Sequence, residues 1–215
     1  MVPTGPTVPL PRSPLDTGDP VRHWYENALG WATVPGHPGN PGHSVELVTG
    51  LRFDVLDVPA EAGFAALRHL GPTSPVVLHG DRMRVLAAAG SADELPGLLD
   101  WLEWGTLALD LRGIGADGST AAPLPPGPDG SRAGLRAAFP AGSHRAPAGP
   151  CGSQGAAVWL RPPEPGREVE PSLPTLSAVG GVGGAPDLVR LVDTMATQCH
   201  RIRLRRVSAQ PLAFS

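Results

Sequence analysis

The chain has 215 residues and a formal net charge of −3, a length that can bury one substantial core and a balance that excludes bulk electrostatic attraction to nucleic acid. All 17 basic residues are arginine, which rules out mechanisms that need a lysine, a Walker-type phosphate loop among them. The 28 glycines and 27 prolines are unevenly spread, so the composition predicts an ordered core with Pro/Gly-rich additions.

Residues 1–20 read as a Pro-rich tail. VRHWYENALGW, Val21 to Trp31, suits a short helix with Trp24, Ala28 and Trp31 on one stripe. A loop follows over 36–44. Val45–Val48 and Leu51–Val58 read as strands rich in β-branched and apolar residues, separated by a turn at Thr49-Gly50. Pro59 is expected in the first turn of a helix reaching Leu70, with Phe64, Leu67 and Leu70 inward. Ser74–Leu78 and Met83–Ala88 form a predicted hairpin around Gly80-Asp81. Ser91 with Glu94 suggests a capping box for a helix over Ala92–Trp104, whose apolar face is Leu95, Leu98, Leu99 and Leu102.

Thr106–Arg112 is predicted to be a strand. Residues 113–155 carry almost no large apolar side chains, and an irregular insertion is expected at about 120–155. Ala156–Leu160 returns as a strand. Pro186 to about Arg206 repeats Leu188, Leu191, Val192, Met195, Cys199 and Ile202 at helical spacing. The expected organisation is a single α+β domain over 21–206 with tails at 1–20 and 207–215. No apolar run approaches the ~20 residues of a membrane helix. The opening residues lack a basic region followed by an apolar core, so the expected location is cytoplasmic. Cys151 and Cys199 are too few for a Cys-based zinc site and read as structural or incidental.

Within VELVTGLRFDVLDVPAEAG, the acidic residues Asp54 and Asp57 are three apart on one strand and so point to opposite faces. Two carboxylates sharing a metal from one strand need i, i+2 spacing, and the position two beyond Asp57 is Pro59. Asp54 could serve only if a bulge turned it inward. Asp57 with Asp110 could form a residual site for Mg²⁺ or Mn²⁺, or be a strand-end cap and a salt-bridge partner. Arg82, Arg84 and Arg112 could cradle phosphate, or lie on a solvated sheet edge. HRIRLRR, His200 to Arg206, is either a basic surface for phosphate or a helix end favoured by its dipole. Gly180–Gly184 reads as a linker, and the five tryptophans as core rather than base-stacking residues.

Four segments together resemble the primase/polymerase (prim-pol) N-terminal domain of the archaeo-eukaryotic primase superfamily, in its short, divergent actinomycete form. They are WYENALGWATVP (Trp24 to Pro35), VELVTGLRFDVLDV, LDLRGIGADGSTAAP (Leu109 to Pro123) and AVWLRPP (Ala157 to Pro163). The resemblance implies an RRM-related mixed sheet with flanking helices, and metal-dependent nucleotide transfer in DNA replication. Asp57 would match the first acid and Asp110 the third, as catalytic and metal-binding residues. Pro59 replaces the second acid, and Met83 or Arg84 stands where a nucleotide-contacting histidine is expected. The expected function is therefore a degenerate, nucleotide- or nucleic-acid-binding or regulatory domain. The alternatives are an active polymerase with a rearranged metal site and a non-catalytic interaction scaffold.

Overall fold

The computed structural model describes residues 19–36, 45–126, 157–176 and 185–208. The expectations for the N-terminal tail up to residue 18, the 120–155 insertion beyond residue 126, Cys151, the Gly180–Gly184 linker and the C-terminal tail beyond residue 208 lie outside the described residues, while residues 19–20 and 207–208, also expected in tails, belong to helix ends. The α+β class holds, in three layers. A five-stranded sheet, ordered β6-β3-β5-β4-β8, contains β3 (Phe53–Pro59), β4 (Val76–His79), β5 (Arg82–Ala88), β6 (Arg112–Ile114) and β8 (Val158–Arg161). A three-stranded sheet, ordered β1-β2-β7, contains β1 (Thr33–Pro35), β2 (Val45–Val48) and β7 (Ser119–Ala121). Helices α2 (Ala60–Ala66), α3 (Ser91–Trp101) and α4 (Leu188–Ser208) pack on the other face of the larger sheet. Every strand pair among the described residues is antiparallel, so the expected mixed sheet is corrected there. The one parallel pairing among the described residues is an isolated bridge, Thr175 to Asp187.

Alternation along β3 builds both cores. Leu56 and Val58 face the helices and join Met83, Val85, Leu191, Val192 and Met195. Phe53 and Val55 face the smaller sheet and join Tyr25, Trp31, Leu47 and Trp159. With both faces covered, all seven β3 residues are buried, which is why the segment reads as a nearly continuous apolar run. The chain's single tyrosine anchors the second core. Its hydroxyl donates to the Pro123 carbonyl at 2.7 Å and accepts from Trp159 Nε1 at 3.1 Å. Burial pushes the Tyr25 phenol well above its ordinary pKa, and the Trp159 hydrogen bond only partly opposes this.

Several local expectations are corrected. The first helix, α1 (Pro20–His23), capped by Asp19, runs into a π-helical turn at Trp24–Ala28. The wider turn replaces the predicted stripe, so Tyr25 and Trp31 are buried while Trp24 is half-buried. Pro59 ends β3 and caps α2 rather than lying inside it. The short α2 gives way to a 3-10 turn at Leu67–His69, so Ala62, Gly63 and Ala66 face inward and Phe64 is exposed. Close approach of α2 to β5 explains the small residues, because a Cβ on Gly63 would overlap the Met83 side chain. Among the tryptophans, Trp31 and Trp159 are core residues, but Trp101 is exposed. Strand structure in the 106–114 region is confined to Arg112–Ile114. Turns at Trp104 and Leu107 carry the chain out of α3 before it reaches the sheet.

Helix α4 matches its sequence pattern, with Leu188, Leu191, Val192, Met195, Cys199 and Ile202 all buried. Urea unfolding should therefore show a loss of about 2–5 kcal/mol for Leu191→Ala, the cost of a cavity in a packed core. Phe64→Ala should cost under about 1 kcal/mol, because its side chain already meets water.

Candidate functional site

The Thr49-Gly50 turn positions the site. Thr49 Oγ1 donates to the Gly115 carbonyl at 2.6 Å, and the Thr49 N–H donates to Gly118 O at 3.0 Å. Gly50 has φ +85°, and a Cβ there would strike the backbone of Ala116. The turn before β3 is thus locked to the loop joining β6 to β7. That loop crosses from one sheet to the other.

The two β3 acids point to opposite faces. Asp54, on the helix side, is fully buried and accepts from the Ala92 N–H at 2.8 Å. It satisfies an N-terminal donor of α3 from another strand, which corrects the capping-box expectation. Gly90, at φ +91°, occupies the cap position without a side chain, Ser91 is the first helical residue, and Glu94 is exposed. Without a bulge in β3, Asp54 does not reach the other carboxylates.

Asp57, on the opposite face, is gripped by two arginines of β5. Arg82 Nε donates to its Oδ1 at 2.5 Å, and Arg84 Nε donates to its Oδ2 at 3.1 Å. Arg82 also donates through NH1 to Asp110 Oδ1 at 2.6 Å and through NH2 to the Asp57 carbonyl at 3.2 Å. Arg84 NH1 continues to Thr120 Oγ1 on β7 at 3.1 Å. Burial lowers the Arg82 pKa, but the bonds to Asp110 and Asp57 outweigh this and the net shift is upward. Arg82, Arg84, Asp57 and Asp110 are therefore one network, two cations against two anions, tying β3, β5, β7 and the segment before β6 together.

Four of the five candidate residues converge. The fifth, Arg112, pairs in register with Asp57 from β6, yet its side chain is exposed and makes no salt bridge to a described residue. Two geometric expectations are corrected. β5 is a central strand rather than an edge, and β3 separates it from β6. Asp110 lies outside the strand, and Arg82 reaches it by side-chain length rather than by alternation.

The arrangement does not fit a divalent cation at Asp57 and Asp110. Both oxygens of Asp57 and one of Asp110 already accept charge-assisted bonds from guanidinium groups, and Pro59 adds no ligand atom. For the same reason Arg82 and Arg84 form no open phosphate cradle. Where a histidine would be expected on the hairpin, Met83 is a fully buried core residue and Arg84 belongs to the ion network. Cys199, close by on α4, has its thiol pushed up to about 11 by burial and by the Asp110 charge, which makes it a poor nucleophile near neutrality.

Sequence reasoning missed Tyr25, Thr120 and the remote cap from Asp54. The lone tyrosine, with the alternation that sets Asp54 toward the helices, was the available signal. Thr120 had none, because its role depends on the sheet crossing.

Arg82→Ala should destabilise the fold by about 1–3 kcal/mol in urea unfolding, since Asp57 and Asp110 both lose a partner. Arg82→Lys should recover only part of this, because a single ammonium cannot fork to two carboxylates.

No protein-family model matches this chain, and no curated protein or solved structure does so.

Proposed function

We propose that this chain is a prim-pol-like domain whose acidic centre has become a structural ion network, so that it binds or regulates rather than polymerises. The observation that carries this reading is the capture of Asp57 by Arg82 and Arg84, with Arg82 extended to Asp110. Two-metal nucleotide transfer needs carboxylates free to hold cations against both the attacking and leaving oxygens. Here the matching carboxylates hold guanidinium groups, and the place of the second acid holds Pro59. The order of the four motif segments supports the prim-pol relation. So does the contact between two of them, in which the Thr-Gly turn and the first acid meet the Arg-Gly segment. The domain's role is then to engage nucleotide or nucleic acid, or a partner protein, without chemistry at Asp57.

A second reading is a protein-interaction scaffold, for which Trp101, 72% accessible on the solvent side of α3, is the candidate contact residue. The two readings share the absence of polymerisation and differ in whether nucleotide is bound.

A primed-template assay with Mg²⁺ or Mn²⁺ should show no extension by the purified protein. Template-dependent extension that disappears in Asp57→Ala would overturn the proposal.

A further inference from the structure

The sheet edge beside the ion network opens into a cleft of about 470 Å³ between β6, the end of β3 and the last turns of α4. Its polar lining includes Arg112, Arg203 and Arg206, and its apolar lining includes Pro59, Leu109 and Ile202. Arg203 donates through NH1 to the Ala108 carbonyl at 3.0 Å, which fixes the arm and leaves the rest of its fork for a ligand. Neither the Arg112 nor the Arg206 side chain makes a hydrogen bond or salt bridge to another described residue. The one carboxylate in the lining, Asp110, has its charge shared with Arg82 inside the neutral network. The neighbouring Arg205 turns to Glu61 of α2. The cleft thus has three guanidinium groups unmatched by described carboxylates, in a chain whose total charge is −3. Such a concentration of forked donors is unfavourable alone and is relieved by a bidentate anion. The volume falls within the range of small-ligand sites, and the apolar lining suits a planar or apolar body beside the charged group.

We propose that this cleft binds a phosphate-bearing small molecule, its phosphoryl group held by Arg112, Arg203 and Arg206 and its body packed on Pro59, Leu109 and Ile202. The site is separate from Arg82 and Arg84, and the inference stands without the prim-pol reading, because it rests on the cleft alone. Calorimetry with adenosine 5′-monophosphate tests it, with inorganic phosphate and adenosine as the two halves of the probe. The wild type should bind the monophosphate with a Kd on the order of 10–1000 μM, weakened by added salt. The monophosphate should bind at least several-fold tighter than either half. Arg112→Ala/Arg206→Ala should weaken binding 10-fold or more with little change in thermal midpoint, since both side chains are exposed. Arg201→Ala, on the same helix but outside the cleft, should bind as the wild type does. No binding at millimolar monophosphate would overturn the proposal, as would equal affinity in the double variant. Inorganic phosphate binding as tightly as the monophosphate would overturn the role given to the apolar lining. Tighter binding of a single-stranded oligonucleotide, with losses shared equally by Arg201→Ala, would assign the surface to nucleic acid instead.

Discussion

A carboxylate inside a covered strand is the constraint around which this fold is arranged. Asp57 lies in β3, whose two faces are both closed, and it is only 7% exposed. An unpaired charge there would cost several kcal/mol, so its partners are obligatory. Arg84 comes from the position directly opposite on β5, and Arg82 from the next residue on the same face. Each arginine then has donors to spare, and those donors reach beyond β3 and β5. Arg82 fixes the segment before β6 through Asp110, and Arg84 fixes β7 in the smaller sheet through Thr120. Neutralising one charge therefore couples the two sheets.

Asp54 answers the same problem on the other face by different means. It has no arginine partner among the described residues and accepts instead from an N–H at the start of α3, where the helix dipole also favours negative charge. Three residues apart on one strand, the two acids organise the helical layer and the sheet crossing separately. A pair at i, i+2 would have put both charges into one site and left α3 without its remote cap.

Much of this architecture was legible in the sequence because it depends on local periodicity. The α4 stripe, the Gly80-Asp81 hairpin, the β2 strand and the opposed acids follow from helical spacing or strand alternation. What depended on tertiary reach was not legible. The π turn hid Tyr25, the close packing of Gly63 on Met83 turned Phe64 outward, and strand structure in the 106–114 region appeared only at Arg112–Ile114. Convergence of Asp57, Arg82, Arg84 and Asp110 was anticipated as a site, and a salt-bridge role for the acids was one of its two readings, but the sequence did not choose between them. Alternation places side chains on a face without saying whether they attract an outside ligand or one another, and here the arginines satisfied the acids. Arg112, expected to join them, lines a cleft with the end of α4 instead.

The charged residues therefore divide into an internally neutral network that holds the sheets and a basic cleft beside it. The most direct measurement of this division is a double-mutant cycle in urea with Asp57→Asn, Arg82→Gln and the pair. Structural coupling predicts an interaction energy of about 1–3 kcal/mol, the range for contacting residues in one network. Additivity within about 0.5 kcal/mol would contradict it.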